Sequence, residues 1–267
     1  MRTVAVTGAG SGIGAATAAR LTAEGCRVIG VDLRGAEIEA DLGTPDGRQA
    51  AIDAVAEACE GSLDGLITCA GVTGLPGRPA SLLASVNYFG TVVVMEGLRP
   101  FLANGDRPSA VAISSNSTTT APGFSMELVE ALLAGDEAHA REVADRPGMH
   151  SMLEYGATKL AVARWVRNNA VTDEWGKAGI RLNAIAPGMI ATPMVQEGMD
   201  HGLGDQLEMF RQTIAFGRPG EADEIAALLT FLVGTESTFF CGSVIFCDGG
   251  TDAMLRAADF PAPWQPR

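Results

Sequence analysis

The sequence predicts an α/β fold in which one parallel β-sheet is doubly wound, with helices on both of its faces. Short β-branched and apolar runs alternate with longer helix-like stretches along the chain, as strand–helix–strand crossovers require. The chain has 267 residues and 33 glycines, which suits a single domain with many close backbone approaches. We expect this domain to cover residues 1–258 and an irregular, proline-rich tail to follow at 259–267.

The predicted elements follow from periodicity and from glycine or proline at their boundaries. Strands are expected at 2–7, 27–32, 63–69, 109–115, 180–185 and 243–247. Helices are expected at 12–24, 46–60, 81–103, 152–176 and 221–234. The segment 122–149, called the insert below, is far longer than an ordinary connection. Its residues Met126, Val129, Leu132 and Leu133 have helical spacing, so we predict a helical insertion.

Charge and composition exclude several classes of function. The formal net charge of −13 repels phosphate backbones and anionic lipids, so neither nucleic acid nor a membrane surface is an expected partner. The apolar runs are too short to span a bilayer and the chain opens directly into a strand, which predicts a cytoplasmic protein. The 5 cysteines have neither paired nor metal-ligand spacing, so we expect reduced thiols and no metal site.

A glycine-rich run follows the first predicted strand and opens the first predicted helix. It has the sequence Thr7-Gly8-Ala9-Gly10-Ser11-Gly12-Ile13-Gly14. Glycine permits positive φ and close backbone approach to a ligand, while free N–H groups and the helix dipole attract phosphate. The run therefore indicates a pyrophosphate site in a Rossmann-type fold, although an ordinary glycine-rich turn has the same composition.

Asp32 ends the second predicted strand, 18 residues after Gly14. A carboxylate at about this interval accepts hydrogen bonds from the adenosine ribose of NAD and repels the 2′-phosphate of NADP. NAD is therefore the predicted cofactor. Arg34 could turn toward a phosphate instead, but a solvated loop cation is its ordinary role.

Tyr155 and Lys159 lie four residues apart on a predicted helix and so share one face. A free tyrosine titrates near ~10, and nearby positive charge favours the phenolate. We expect Lys159, together with a nicotinamide ring, to lower the pKa of Tyr155. Such a pair is common on surface helices, so its meaning depends on the rest of the sequence.

Together these residues resemble the short-chain dehydrogenase/reductase family, over nearly the whole chain and in the family's order. The match comprises Thr7 to Gly14, Asp32, Asp41-Leu42, Cys69-Ala70-Gly71, Asn87, Ser115, Tyr155 with Lys159, and Pro187-Gly188 with Thr192. The resemblance implies that Tyr155 is the general acid or base and that Ser115 hydrogen-bonds the substrate oxygen. It further implies that Lys159 binds the nicotinamide ribose and that Asn87 holds a proton-relay water.

The resemblance also implies a set of cofactor contacts. These are Gly8, Ser11, Gly12, Ile13, Gly14, Asp32, Leu33, Asp41, Leu42, Cys69, Ala70, Gly71, Tyr155, Lys159, Pro187, Gly188, Ile190 and Thr192. Ser115 is preferred to Ser114 because the family's serine is the second of the pair, and neighbouring strand side chains point to opposite faces. Without the resemblance, Thr192 could equally cap a helix and Asp41 could be an exposed loop acid.

The chain departs from the family pattern at two places. Thr68-Cys69-Ala70-Gly71 stands where the family has Asn-Asn-Ala-Gly, and the insert lengthens the interval between Ser115 and Tyr155. The insert narrows the resemblance to the bacterial 3α-hydroxysteroid dehydrogenase/carbonyl reductase subgroup, which carries an extra helical segment there. Because the insert precedes the long helix through which many members pair, we expect a homodimer rather than a tetramer.

The expected function is NAD-dependent interconversion of a secondary alcohol and a ketone on a small hydrophobic ring substrate, a 3-hydroxysteroid or similar carbonyl compound. Apolar residues crowd the loop after Pro187 and favour a bulky ligand, although core packing explains them equally well. One alternative is a 3-oxoacyl carrier-protein reductase, disfavoured by Asp32 and by the repulsion of an acidic carrier. A non-catalytic NAD-binding protein is another, against which Ser115, Tyr155 and Lys159 argue.

Overall fold

Parallel strands form the central sheet in the computed structural model, which describes residues 1–260. Its strands are β1 (Thr3–Thr7), β2 (Arg27–Asp32), β3 (Ile38–Glu39), β4 (Gly65–Thr68), β5 (Ser109–Ile113), β6 (Arg181–Pro187) and β9 (Val244–Cys247), in the order β3-β2-β1-β4-β5-β6-β9. β7 (Ile190–Ala191) pairs separately with β8 (Gly220–Glu221). The strand order reverses between β1 and β4, and a crevice at such a switch point is where α/β sheets bind ligands. Of the predicted tail, all but Asp259 and Phe260 lies outside the described residues.

Helices cover both faces of the sheet, so the predicted fold class is confirmed. They are α1 (Gly12–Ala23), α2 (Pro45–Ala58), α3 (Ala80–Leu83), α4 (Gly90–Leu102), α5 (Ser117–Thr120), α6 (Met126–Leu133), α7 (Glu137–Ala144), α8 (Ser151–Asn169), α9 (Pro193–Asp200), α10 (Gly204–Arg211), α11 (Ala222–Val233) and α12 (Thr251–Leu255). Alternate side chains of β1 enter two separate cores. Val4 and Val6 pack toward α1 and α11, whereas Ala5 packs toward α2, α4 and α8.

One helix runs continuously from Ala80 to Leu102 and carries Asn87. A π-helical segment, Ala84–Phe89, joins α3 to α4 within it. By length and hydropathy this helix could cross a membrane, which corrects the expectation that every apolar run is too short. However, 72% of its apolar window is buried inside the protein, so it serves as a core helix.

Two predicted elements are too long at their carboxyl ends. α8 ends at Asn169 rather than at 176, because both the N–H and the hydroxyl of Thr172 bond to the Asn169 carbonyl and form a turn. β5 ends at Ile113 rather than at 115. Ser115 therefore lies in the loop that follows the strand.

The insert contains the predicted helix, α6, and a second helix, α7, that the apolar pattern did not reveal. Leu128, Val129 and Leu132 of α6 are fully buried in one core with Ala157 and Ala161 of α8. Since α6 covers α8 in this way, the long helix is packed on both sides within one chain. Its position relative to the sheet is therefore fixed.

Candidate active site

A cleft of about 300 Å³ opens at the carboxyl ends of β1, β2 and β4. It is lined by the predicted cofactor contacts Gly8, Ser11, Gly12, Ile13, Gly14, Asp32, Leu33, Asp41, Leu42, Cys69, Ala70, Gly71 and Thr192. It is also lined by Ala40, Gly43, Val72, Val86 and Met194, which no sequence pattern indicated. These additional residues are small or apolar and carry no chemistry that a motif could have marked.

The glycine turn between β1 and α1 leaves no room for side chains. Gly8 and Gly12 have φ of 72° and 53°, which favours glycine. A Cβ on Gly14 would lie 2.0 Å from the Gly8 carbonyl oxygen, and one on Gly8 would lie 2.7 Å from the Ala70 nitrogen. Within residues 1–260, the Ser11 side chain makes no capping hydrogen bond to α1. The first N–H groups of this helix can therefore bind an anion in the cleft.

Asp32 is held at the end of β2 by two backbone N–H groups. Gly10 donates to one carboxylate oxygen at 2.9 Å and Leu33 donates to the other at 2.7 Å. A Cβ on Gly10 would lie 3.1 Å from the carboxylate carbon, so glycine is required for this approach. The carboxylate is thereby fixed at the cleft wall and leaves lone pairs for a ligand.

Thr7 at the end of β1 holds the Cys69-Ala70 segment, where the chain departs from the family pattern. The Thr7 carbonyl accepts from the Cys69 N–H at 3.1 Å, and its hydroxyl accepts from the Ala70 N–H at 3.2 Å. The buried Thr68 hydroxyl has no hydrogen-bond partner in the described part of the chain. The floor of the cleft is therefore held from β1 by the carbonyl and the hydroxyl of Thr7.

Tyr155 and Lys159 approach the end of this cleft from α8. The Lys159 ammonium donates to the Ile113 carbonyl at 3.0 Å and lies 5.7 Å from the centroid of the Tyr155 ring. A Cβ on Gly71 would lie 3.5 Å from Lys159 Nζ and 3.1 Å from the Asn87 side-chain oxygen. Gly71 lines the cleft, and the Lys159 ammonium and the Asn87 side-chain amide therefore lie directly behind the cleft wall at this position.

The two neighbouring serines after β5 have different partners. Ser114 donates to the Lys159 carbonyl at 2.9 Å and is buried. Ser115 lies close enough to the Tyr155 phenol to lower its pKa, and its side-chain oxygen accepts from the Ser117 N–H at 3.1 Å. Ser115 therefore shares the site with Tyr155, whereas Ser114 anchors the helix.

Burial dominates the ionisation of both groups on α8. It raises the pKa of Tyr155 to about 12, partly offset by the Ser115 hydrogen bond. It lowers the pKa of Lys159 to about 8, opposed by the Cys69 thiol. The expectation that Lys159 and a nicotinamide ring together lower the Tyr155 pKa stays a prediction, since burial dominates the pKa in the protein alone.

Asn87 is fully buried in the π-helical segment and bonds in both directions to Val72. Its side-chain oxygen accepts from the Val72 N–H at 2.8 Å, and its amide donates to the Val72 carbonyl at 3.0 Å. The same amide lies 3.4 Å from the Thr158 hydroxyl of α8. Asn87 therefore fixes the loop after β4, and its link to a relay water stays a prediction.

The residues predicted to contact the nicotinamide differ in their position relative to the cleft. Pro187 and Gly188 lie beside Asn116 and Asp248 rather than along the cleft. The Ile190 side chain packs into the apolar core under the sheet, so its backbone alone could reach a ligand. Thr192 lines the cleft, and its hydroxyl donates to the Ile190 carbonyl at 3.2 Å instead of capping α9.

Fold and site together define the class of protein. A glycine turn at the start of a helix, a carboxylate at the end of β2 and a serine–tyrosine–lysine group next to the same cleft are the parts of a dinucleotide-dependent oxidoreductase. A family model described as short chain dehydrogenase matches residues 2–126, and one described as enoyl-(acyl carrier protein) reductase matches residues 138–252. The residues between the two matches belong to the insert.

The chain belongs to the short-chain dehydrogenase/reductase family and is an oxidoreductase. It is 38% identical over 262 residues to the 3-alpha-hydroxysteroid dehydrogenase/carbonyl reductase of Comamonas testosteroni, covering 97% of this chain and 100% of that protein. It is 30% identical over 281 residues to levodione reductase of Leifsonia aquatica, covering 94% of each. The predicted family and subgroup resemblance is confirmed.

A solved structure gives the same result in three dimensions. The 3-alpha-hydroxysteroid dehydrogenase from Pseudomonas sp. B-0831, complexed with NADH, superposes with a TM-score of 0.88 at 42% identity. The alignment covers 97% of this chain and 100% of that one. The sheet order and the placement of the helices are therefore those of this family.

The lowered pKa of Lys159 predicts a pH effect on stability. Between pH 8 and the ordinary lysine pKa of 10.5, Lys159 is protonated in the unfolded chain but largely unprotonated in the folded chain. The free energy of unfolding therefore rises with pH in this range. From pH 8 to 9 we expect a gain on the order of 1 kcal/mol in unfolding free energy relative to Lys159→Met. Urea unfolding followed by circular dichroism measures it. Lys177→Met, which removes an exposed lysine, is the control and should track the wild type.

Proposed function

We propose that this chain is an NAD-dependent dehydrogenase that interconverts a secondary alcohol and a ketone on a hydrophobic ring substrate. The observation that carries the proposal is the grouping of Ser115, Tyr155 and the Lys159 ammonium behind Gly71, which lines the same cleft as Asp32. When bound, NAD accepts a hydride from the alcohol carbon, and NADH returns one to the ketone carbon.

The residues of the cleft fit a dinucleotide with a free adenosine ribose. The backbone crowding at Gly8 and Gly14 creates a cradle that a Cβ would fill, which suits the pyrophosphate. The Asp32 carboxylate accepts from ribose hydroxyls and repels a 2′-phosphate, so NAD is preferred to NADP. Asp41, Leu42 and Thr192 line the cleft, where the first two would border the adenine and Thr192 would hold the nicotinamide end.

The protein's own residues handle the proton and the substrate oxygen. In reduction, the Tyr155 hydroxyl donates its proton to the carbonyl oxygen, and in oxidation the phenolate takes the alcohol proton. Ser115 donates a hydrogen bond to the same oxygen and polarises it. Lys159 would bind the nicotinamide ribose and, as a cation 5.7 Å from the centre of the Tyr155 ring, would favour the phenolate.

Two observations support a bulky, weakly polar substrate. An apolar pocket of about 580 Å³ lies beneath α9 and α10, includes Met189, Met199 and Leu207, and shares Thr192 with the cofactor cleft. The relative from Comamonas testosteroni and the structure from Pseudomonas are both 3-alpha-hydroxysteroid dehydrogenases. A 3-hydroxysteroid or a similar alicyclic ketone is therefore the substrate we propose.

We further propose a cytoplasmic homodimer. All 5 cysteines are free, which suits a reducing compartment, and recovery in a membrane fraction would contradict this location. The insert covers α8, whereas β9 is an edge strand of the sheet as described. Near it lie exposed apolar side chains, including Phe239, which is 100% exposed. A second copy would cover this edge.

Removal of the Tyr155 hydroxyl tests the mechanism. We expect Tyr155→Phe to reduce turnover of cyclic secondary alcohols by at least ~10²-fold, since the general acid and base is lost. Affinity for NADH should change little, because the ring and the cleft remain. Absorbance of NADH during incubation with a panel of 3-hydroxysteroids and other alicyclic alcohols measures turnover, and fluorescence titration measures affinity.

The control is Tyr88→Phe, which removes the hydroxyl of the other tyrosine in the chain, a buried residue outside the site. It should keep most of the activity. If the wild type binds NADH but turns over no alcohol in the panel, the protein is an NAD-binding protein without this activity. If Tyr155→Phe retains normal turnover, the assigned proton path is incorrect.

Asp32→Ala tests the cofactor preference. Loss of the carboxylate removes hydrogen bonds to the ribose and the repulsion of a 2′-phosphate, so KM for NAD should rise roughly tenfold or more. Discrimination against NADP should shrink at the same time. Kinetics with both cofactors measure the two changes. Asp46→Ala, which changes an acid in the first turn of α2, should leave the preference intact.

The oligomeric state tests the proposed use of the β9 edge. Light scattering should give twice the mass of one chain, and Phe239→Asp should shift the protein toward the monomer by placing a charge in the interface. Met209→Asp, at a side chain on α10 that is 70% exposed, serves as the control and should leave the mass unchanged. A tetramer would contradict the proposal.

A further inference from the structure

The inner face of α7 carries three polar side chains at intervals of one helical turn. Glu137, Arg141 and Asp145, the last at the carboxyl cap of the helix, are four residues apart and so lie on one side of it. Each of them bonds to the helix that carries Asn87 or to its neighbour α2. Arg141 and Asp145 are exposed and Glu137 is partly buried, but these partners give each side chain a defined position.

Two of these contacts hold the helix from Ala80 to Leu102 directly. The Asp145 carboxylate accepts from the Ser81 N–H at 2.9 Å, near the start of that helix. Arg141 donates to the fully buried Ser85 hydroxyl at 2.6 Å. Ser85 directly precedes Val86, which lines the cofactor cleft. The insert therefore fixes the π-helical segment from outside.

The third contact reaches the cleft through a buried arginine. Glu137 forms an ion pair with the guanidinium of Arg48 on α2, which is 2% exposed. That guanidinium also donates to the Leu42 carbonyl at 3.2 Å and lies 3.4 Å from the Ser85 carbonyl. Leu42 belongs to the cleft wall. One arginine thus holds two segments that border the cleft, and one carboxylate balances its charge.

The surroundings leave little freedom for these two segments to move independently. A Cβ on Gly90 would lie 3.1 Å from the Leu42 carbonyl oxygen, and one on Gly43 would lie 3.1 Å from a methyl group of Val86. The Arg48 Nε atom is buried and has no partner among the described residues. Loss of Glu137 would therefore leave a buried cation without its counter-charge, and Arg48 would have to move.

We propose that Glu137 is a positioning residue for the adenosine half of the cofactor, which it orders through Arg48, Leu42 and Ser85. The proposal rests on the dinucleotide cofactor proposed above. It assigns the insert a part in cofactor binding, in addition to its packing on α8. Glu137 does not line the cleft, so its loss should weaken only the binding of the adenosine half, which would contact the wall at Leu42 and Val86.

The test uses the full chain and the isosteric variant Glu137→Gln. Calorimetry with ADP-ribose should show affinity weakened roughly tenfold, whereas nicotinamide mononucleotide should bind as it does to the wild type. In turnover, KM for NAD should rise while kcat changes less than about twofold, a split that general destabilisation would not produce. The control Glu127→Gln breaks an exposed ion pair of the insert with Arg146 and should leave ADP-ribose affinity unchanged.

A second variant separates positioning from packing. Arg48→Met combined with Glu137→Leu replaces the buried pair with apolar groups of similar size, which often preserves stability. The proposal is supported if this double variant melts like the wild type but binds ADP-ribose weakly. This outcome supports it even if Glu137→Gln does not fold. Normal ADP-ribose affinity in either folded variant overturns it, as does an equal loss in Glu127→Gln.

The proposed function can fail separately from this inference. A wild-type protein that binds no ADP-ribose refutes the cofactor assignment itself and the inference with it. A wild-type protein that binds ADP-ribose, with Glu137→Gln binding it equally well, refutes the role of Glu137 and leaves the cofactor assignment standing.

Discussion

Burial of α8 between the sheet and the insert is the constraint on which the site depends. Tyr155 and Lys159 lie one turn apart on this helix, and the insert covers the turn between them, where a Cβ on Gly156 would lie 2.7 Å from the Phe124 ring. The buried Glu154 carboxylate accepts from the Ser125 N–H at 3.0 Å and ties the same turn to the start of α6. The phenol and the amine therefore keep a fixed relation to the loop after β5.

The same burial sets the electrostatics of the site. It favours the neutral forms of Tyr155 and Lys159, with pKa values of about 12 and 8. A buried site of this kind resists the charge that proton transfer creates, so a further positive charge beside the phenol would make its proton more labile. The oxidised nicotinamide ring has the required charge. The sequence argument counted the charges of the lysine and of the nicotinamide ring, but it could not count the desolvation of the tyrosine, which only the fold reveals.

The cofactor half of the site was predictable because its geometry is local. One strand, one turn and one helix place Gly8 and Gly14 against each other, and backbone N–H groups alone hold Asp32 in place. Val72 and Val86 carry no such signal. Val86 directly precedes Asn87, and the Asn87 side chain bonds to Val72, which is 15 residues earlier in the chain. This contact places both valines at the cleft, and sequence periodicity does not reveal it.

The insert shows where sequence reasoning stops. Its apolar spacing predicted α6, but the charges of α7 are typical of a solvated helix, so α7 was missed. The missing information was the burial of Arg48, since a buried guanidinium is tolerated only with a counter-charge and its hydrogen bonds. Arg48 is therefore compatible with the fold because the insert supplies Glu137, and the polar face of α7 is satisfied because α2 supplies Arg48. The two segments, distant in sequence, constrain each other as one unit.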